Sequence, residues 1–164
     1  MLSSLIIFLA VTHPEAQTAP AQSQRHVEQR YFQLKDLDTA KISFKEKDEL
    51  TVWVMDSNLK RAEGMMFLKD SDFTEKQGMI FVFTAAQELR FWMRNTLVPL
   101  DIAYVDERGK ILSTYTMKAL DEETDYSSLG RSKYAIEVKA GLFKKLKIMP
   151  GDMVQIPSTI KAKD

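Results

Sequence analysis

Cysteine is absent from the 164-residue sequence, and histidine occurs only at His13 and His26. Without cysteine the chain forms no disulfide, holds no zinc–thiolate site and has no thiolate nucleophile. Both histidines precede the region where we predict the folded domain, so that domain has neither a Ser-His-Asp triad nor a histidine-based zinc site. We therefore expect no transition-metal site and no cofactor.

A charge excess of either sign is also missing, because Lys plus Arg and Asp plus Glu each number 23. A dedicated nucleic-acid binder needs a basic face that releases counterions, so we expect no nucleic-acid partner. The six glycines form no Gly-rich turn between a strand and a helix. This pattern excludes phosphate loops and dinucleotide-binding fingerprints.

The apolar run at the start of the sequence is too short for a transmembrane helix, which takes about 20 residues. Leu2 to Val11 is instead typical of the h-region of a signal peptide, and Ala19-Pro20-Ala21 supplies the small residues that a signal peptidase reads. We predict cleavage after Ala21, export to the periplasm or the exterior, and no membrane span in the mature protein. A flexible leading segment, 22–30, would then precede the domain.

Short strands with period-two alternation dominate the rest of the sequence. They predict a β-rich α+β fold in one domain, 31–157, with about eight short strands, two short helices and a frayed tail at 158–164. The sheet would be a partly closed barrel or strongly twisted. We expect separate strands at 31–35 and 89–93, a polar loop at 120–131, and a strand at 134–139.

The first predicted helix begins near Leu59, after the potential capping side chains of 56–58. Leu59, Ala62 and Met66 have the spacing of a buried stripe. Gly64 would either end this helix or let another backbone approach closely. The second helix is predicted at 140–147.

Two carboxylates lie in otherwise apolar predicted strands. Asp101 shares a strand face with Ala103 and Val105, and Glu137 lies between Ala135 and Lys139. If these carboxylates meet, they would form a general acid/base pair of the glycosidase type. The alternative, which we favour, is that each caps a turn or pairs with a backbone amide or with an arginine. The candidate arginines are Arg61, Arg90 and Arg94.

Trp92 lies between Arg90 and Arg94 on the strand face opposite Leu89 and Met93. An aromatic ring on that face can form a stacking platform for a sugar ring, with the arginines binding its acceptors. It can equally belong to a second packed layer in which arginine stems cover the ring. Both interpretations stay open.

Several stretches resemble a conserved bacterial and archaeal family called domain of unknown function 192. The stretches are 61–67, 78–83, 91–102, 136–137, 140–141 and 150–152. The most specific is the Phe-Trp-Met-x-Asn-Thr-x-x-Pro-Leu-Asp string that begins at Phe91, and the resemblance extends over about 50–154. It implies a compact, β-rich single domain, often exported, without an established enzymatic activity.

The family motif matches this chain at twelve positions: Arg61, Gly64, Met66, Gly78, Phe91, Trp92, Met93, Asn95, Thr96, Pro99, Asp101 and Glu137. Two positions depart from the family pattern. Leu68 stands where an arginine is usual, and Leu120-Asp121-Glu122 stands where a proline is usual. The motif marks either a site or a fold-defining turn, since Asn95 and Thr96 are good turn formers.

Our leading functional hypothesis is an exported, non-enzymatic binding domain for a carbohydrate or another small polar ligand of the cell envelope. The predicted binding residues are Arg61, Met66, Arg90, Trp92, Arg94, Asn95, Asp101 and Glu137. One alternative is a metal-independent hydrolase that uses Asp101 and Glu137 as its carboxylate pair. A second alternative is a structural or partner-binding accessory protein.

Overall fold

The computed structural model describes residues 29–45 and 48–164. The predicted signal peptide, 1–21, and most of the predicted leading segment lie outside this part of the chain. Within it the protein is strand-rich, with seven strands and two short α-helices. The elements in chain order are β1 (Thr39–Phe44), β2 (Asp48–Met55), α1 (Asn58–Glu63), β3 (Gln77–Phe91), β4 (Leu100–Val105), β5 (Ile111–Met117), β6 (Tyr126–Lys139), α2 (Leu142–Leu146) and β7 (Val154–Gln155).

The seven strands form one curled, half-barrel sheet in the order β5-β4-β6-β3-β2-β1-β7. Among these described strands β2 and β3 pair in parallel, and the other neighbours are antiparallel. Parallel pairing needs a crossover connection, which residues 56–76 supply by carrying α1 across one face of the sheet. The predicted β-rich α+β fold is confirmed, with seven strands in the described part of the chain where about eight were expected.

Both faces of the sheet are covered, as the apolar residues on both sides of β3 predict. Met79 and Phe81 belong to the cluster beneath the crossover, whereas Ile80 and Val82 belong to the cluster beneath α2 and β7. We call these the crossover face and the α2 face of the sheet. Alternate residues of the central strands therefore divide between two cores.

Three sequence predictions about the strands are wrong. Residues 31–35 form no strand, because the Glu63 carboxylate accepts the backbone N–H groups of Tyr31 and Phe32 and a 3-10 turn follows. The predicted strand at 89–93 continues the one at 81–83, since bulges carry β3 through the intervening residues. The second half of the predicted loop at 120–131 is the start of β6.

The predicted buried stripe of the first helix is also wrong. Leu59 is 70% exposed, Ala62 is exposed, and α1 contains no buried residue. The helix is also not capped by a side chain of 56–58. Instead the buried Asp56 carboxylate accepts a hydrogen bond from Lys60 and forms an ion pair with Lys163, which fixes α1 through charges.

The tail at 158–164 packs against the domain rather than fraying. Ile160 is buried, and the Lys163 backbone N–H donates to the Asp56 carbonyl at 2.7 Å. Arg30, at the end of the predicted leading segment, is likewise fixed by hydrogen bonds to the carbonyls of Gly64 and Met66.

Candidate functional site

Glu137 is a carboxylate among apolar residues of the sheet. It lies on the crossover face of β6, directly between Met79 of β3 and Ile102 of β4. Its side chain is nearly inaccessible, at 4% exposure, and no residue in 29–45 or 48–164 donates a hydrogen bond to it. Burial raises the pKa of Glu137 to about 8, because an ionised carboxylate loses its hydration there.

Glu137 lines a cavity of about 340 Å³ between the sheet and the crossover connection. We call the side formed by the sheet the floor of the cavity and the side formed by the crossover connection its wall. Aromatic rings make much of the lining, and two arginines lie along it. The lining residues besides Glu137 are Asn58, Arg61, Ala62, Glu63, Gly64, Met65, Met66, Phe81, Phe83, Arg90, Phe91, Trp92 and Thr96. A concavity that combines apolar and aromatic side chains with placed polar groups is the usual form of a small-molecule site.

Gly64 shapes the wall opposite the sheet. It ends α1 with φ of +48°, a conformation that residues with a side chain rarely adopt. A Cβ at this position would lie 3.0 Å from Cζ of Phe81, so the absence of a side chain lets the wall approach the floor. Arg30 holds the same turn by donating to the Gly64 carbonyl at 2.8 Å and to the Met66 carbonyl at 2.7 Å.

Both terminal nitrogens of the Arg61 guanidinium are engaged by protein groups. It donates to the Val82 carbonyl and to Oδ1 of Asn58, each at 2.7 Å, and forms an ion pair with Asp164. Its Cζ lies 4.9 Å from the centroid of the Phe83 ring, a cation–π contact. Arg61 therefore builds the cavity wall more than it offers a free charge to a ligand.

Trp92 lies at the rim of the cavity and is 55% exposed. The guanidinium of Arg94 lies 5.7 Å from its ring centroid, and Arg90 forms an exposed ion pair with Asp125. This exposure agrees with a stacking platform and not with a second packed layer. The predicted alternation is also observed, since Leu89 and Met93 are buried.

Asn95 serves the turn after β3. It adopts φ of +56°, a left-handed conformation that asparagine tolerates well, and its carbonyl accepts the Phe67 N–H at 2.8 Å. Its neighbour Thr96 is buried and lines the cavity. Neither Asn95 nor Arg94 belongs to the lining.

The structure does not bring Asp101 and Glu137 together. Asp101 is paired with Val138, the residue after Glu137, so the two carboxylates project from opposite faces of the sheet. Asp101 is buried on the α2 face, where it accepts the Thr116 hydroxyl at 2.7 Å and the Phe143 N–H at 2.9 Å. Asp101 thus accepts two hydrogen bonds that tie the fold together, as the favoured interpretation predicts, whereas no residue in the described part of the chain pairs with Glu137.

We expect the substitution Asp101→Asn to lower the free energy of unfolding by about 1–3 kcal/mol. An amide has one oxygen, so its NH₂ group would face either the Thr116 hydroxyl or the Phe143 N–H, both of which are donors toward Asp101. Urea denaturation measures the change, with Asp125→Asn as a matched control because its ion pair is exposed. Equal stabilities for Asp101→Asn and the wild type would contradict this structural role.

A larger, open groove of about 680 Å³ lies on the other side of the molecule. Its lining includes Lys41, Glu49, Glu107 and Arg108, and Lys41 and Glu49 form an ion pair there while remaining more than half exposed. No buried, unpartnered polar group faces this groove among the described residues. Within that part of the chain there is also no group of three His, Cys, Asp or Glu residues that could hold a metal ion.

Comparison with known proteins identifies the family. The model of the family called domain of unknown function 192, described as Uncharacterized ACR, matches residues 40–156. The chain belongs to this family. No curated protein matches it.

Two solved structures share the fold of this member of domain of unknown function 192. One is a protein from Sinorhizobium meliloti described as a proposed transcription regulator, with 24% identity, a TM-score of 0.67, and coverage of 73% of this chain and 94% of the other. The second is a protein of unknown function from Novosphingobium aromaticivorans, with 25% identity, a TM-score of 0.68, and coverage of 76% and 90%.

The cavity joins several, but not all, of the predicted binding residues. Arg61, Met66, Arg90, Trp92 and Glu137 line it. Sequence reasoning missed Phe81, Phe83, Phe91 and Thr96 as lining residues, although each lies in a stretch that resembles domain of unknown function 192.

The departures from the family pattern lie outside the cavity lining. Leu68 is buried in the core of the crossover face, which explains an apolar residue there. In the second departure, Leu120-Asp121-Glu122, the Asp121 carboxylate accepts hydrogen bonds from the Thr124 hydroxyl and N–H and from the Tyr126 hydroxyl. These bonds hold the pKa of the Asp121 carboxyl well below its usual range.

Proposed function

We propose that this member of the family is a non-enzymatic binding domain for a carbohydrate or another small polar ligand, which it holds in the cavity above Glu137. The observation that carries the proposal is the Glu137 carboxyl itself, which is buried at the cavity floor without a hydrogen-bond donor in the described chain. A ligand with a donor group would supply the missing partner.

Burial of an unpartnered carboxyl opposes folding. Transfer of a polar group out of water without a compensating hydrogen bond costs about 1–3 kcal/mol on protein scales, and more when the group is charged. Met79 and Ile102, the neighbours of Glu137 in the sheet, show that the floor accommodates apolar side chains. A residue that serves the fold this poorly is a candidate for a functional role, because sites hold groups that the fold does not need.

The rim of the cavity adds a surface for a ring. Trp92 is 55% exposed, and a half-exposed indole offers a flat apolar face for a sugar or a similar ring. Phe91, which precedes it, lies in the cavity lining and packs edge-on against Phe81 at 4.8 Å between centroids. The ligand would therefore lie between Trp92 at the rim and Glu137 at the floor.

The hydrolase hypothesis has no support from the geometry. It requires two carboxyl groups on either side of a scissile bond, and Asp101 faces away from the cavity into the core near α2. The description of the Sinorhizobium protein as a proposed regulator supports no transcriptional role here, since 24% identity shows the fold alone and the net charge of the chain is zero.

We also propose that the protein acts outside the cytoplasm. Leu2 to Val11 and the small residues at 19–21 support this proposal through their resemblance to a signal peptide. None of the helices in the described part of the chain is long and apolar enough to cross a membrane.

Trp92→Ala tests the proposed function. Because Trp92 is exposed, we expect the variant to change the free energy of unfolding by no more than about 1 kcal/mol while it abolishes binding. The measurement is thermal shift of the purified protein with a panel of monosaccharides and small polyols, followed by NMR titration of the hits. Leu129→Ala is the control, since Leu129 is 77% exposed and does not line the cavity.

Two results would count against the proposal. One is a panel that neither raises the melting temperature nor shifts the amide signals of Gly64 and Thr96 in the cavity wall. The other is binding that Trp92→Ala leaves intact and that perturbs signals elsewhere in the protein. The first result would favour a structural or partner-binding role, and the second would place the ligand site elsewhere in the protein.

A further inference from the structure

Resting on the binding function proposed above, we propose that the ligand carries a protonated primary or secondary amine and that the Glu137 carboxylate is its counter-ion. An amino sugar or an alkylamine has this chemistry. The amine would lie at the cavity floor, and the remainder of the ligand would extend toward Trp92 at the rim.

The charges along the cavity wall support a cationic ligand. Arg61 pairs with Asp164, Arg90 pairs with Asp125, and Glu63 pairs with Arg30. The charged groups of the lining are thus matched, with the exception of Glu137. When Glu137 ionises, the cavity holds one uncompensated negative charge, which a monovalent cation neutralises.

The polar groups of the lining favour a ligand with one strong hydrogen-bond donor over a ligand with many weak donors. Arg61 already donates to Val82 and Asn58, and the Thr96 hydroxyl donates to the Arg94 carbonyl at 3.4 Å. Glu137 is left as the uncommitted acceptor of the floor. An ammonium group forms charge-assisted hydrogen bonds to a carboxylate that are roughly twice as strong as neutral ones.

The aromatic lining adds to this preference. Phe81 and Phe91 lie in the lining together with Trp92. Aromatic faces attract cations, and the attraction grows when water is excluded, as it is near a floor residue with 4% exposure. An uncharged hydroxyl gains nothing comparable from the rings. The competing possibility is a neutral ligand that hydrogen-bonds to protonated Glu137.

The two possibilities differ in their proton linkage. With a pKa of about 8, Glu137 is mostly protonated at pH 7, so an amine that binds the carboxylate must displace a proton. Affinity for an alkylamine would rise up to about tenfold per pH unit below pH 8 and then level off, until the amine itself deprotonates near pH 10. A neutral ligand would release no proton and would bind more weakly above pH 8.

The charged groups that line the cavity with Glu137 are Arg61 and Glu63 of the crossover connection and Arg90 of β3. Each of them is held in an ion pair, with Asp164, Arg30 and Asp125 respectively. Tyr104 lies on the adjacent strand, where burial and then the charge of Glu137 raise its pKa well above the usual range. The expected pH profile is that of Glu137, whose pKa burial raises to about 8.

The test compares two pairs of probes of matched shape, cyclohexylamine with cyclohexanol and glucosamine with glucose, on the full chain. Isothermal titration in buffers of different ionisation enthalpy gives the affinity and the proton count, and NMR of the Trp92 indole N–H locates the site. We expect each amine to bind at least about tenfold more tightly than its hydroxyl analogue, with release of up to one proton at pH 7.

Glu137→Gln keeps the shape of the side chain and removes its charge. We expect it to weaken cyclohexylamine binding at least about tenfold, to change cyclohexanol binding less than about threefold, and to abolish proton release. Glu88→Gln, an exposed substitution on β3, is the matched control and should change neither affinity.

The outcomes separate the inference from the function on which it rests. If cyclohexanol or glucose binds in the cavity as tightly as its amine partner, without proton release, the amine inference is overturned and the binding function stands. If none of the four probes perturbs Trp92, both are overturned. The proton count of the wild type decides the question even where Glu137→Gln folds poorly.

Discussion

Glu137→Gln should make the protein more stable than the wild type at neutral and alkaline pH. Burial raises the pKa of Glu137 from 4.5 to about 8, so the folded state resists the ionisation that the unfolded state undergoes freely. Each unit of pKa difference corresponds to about 1.4 kcal/mol. Glutamine carries no charge at any pH and therefore removes this penalty.

The sign of the effect follows from proton binding in the two states. Below pH 4.5 both states hold the Glu137 proton, and its titration contributes nothing to stability. Between pH 4.5 and about 8 the unfolded state loses the proton while the folded state keeps it, so wild-type stability falls as pH rises. The total loss is on the order of 3–5 kcal/mol and is complete above pH 8.

Urea denaturation of both proteins at a series of pH values from 4 to 9 measures this difference. The two stability curves should nearly meet at pH 4, diverge up to about pH 8 and then keep a constant separation to pH 9, with the variant higher. Glu88→Gln, at an exposed position, should follow the wild type throughout. Curves for Glu137→Gln and wild type that stay parallel over the whole range would mean that Glu137 is not held in a protonated, desolvated state.

Gly78→Ala should strongly destabilise the protein, although it adds only one methyl group. A Cβ at Gly78 would lie 2.4 Å from the Glu137 carbonyl oxygen and 2.9 Å from Cγ1 of Val138. The first contact is with backbone, which cannot move without separating β3 from β6 in the middle of the sheet. Overpacking in cores costs about 1–3 kcal/mol and sometimes more, and we expect at least about 3 kcal/mol at this position.

Gly130→Ala is the matched control for this substitution. It also lies in the sheet, on β6, but the nearest atom to its added Cβ is the terminal Cδ1 of Leu112 at 3.2 Å. A side-chain end can move aside, so we expect a loss within about 1 kcal/mol. Thermal and urea denaturation compare the two variants. Similar losses for both would show that β3 and β6 tolerate separation at Gly78.

The sequence predicts the strands of the sheet better than it predicts the helix and loops that pack on the sheet. Alternation placed Glu137 on the face opposite Ile136 and Val138, and the structure confirms that division between the two cores. Period-two patterning is reliable there because each face of a central strand is buried against its own apolar layer.

Local pattern fails where tertiary partners satisfy polar residues. The start of β6 lies in a polar stretch that predicts a loop, yet the Ser128 hydroxyl accepts the Leu89 N–H and the Ser128 carbonyl accepts the Ser113 hydroxyl. Leu59 has the spacing of a buried residue, but α1 is held by charged contacts such as those of Asp56 and leaves Leu59 in solvent. Neither arrangement has a signature within a few residues of sequence.

The site shows the same limit. Trp92 and Glu137 could be named from the sequence because an arginine-flanked tryptophan and a carboxylate in an apolar strand are unusual. Asp101 looks equally unusual. The register between β4 and β6 directs Asp101 into the core near α2 and Glu137 toward the cavity. The sequence alone does not give that register, since it depends on how distant strands align.

The sheet and the crossover connection at 56–76 supply different parts of the cavity. The sheet fixes the floor with Glu137, whereas the connection between the parallel strands β2 and β3 supplies the wall from Arg61 to Met66. Connections tolerate substitution and changes in length far better than the strands they join. On the proposed binding function, substitutions at wall positions outside the family motif, such as Ala62 and Met65, would change what a relative binds, while the sheet keeps the carboxyl in place.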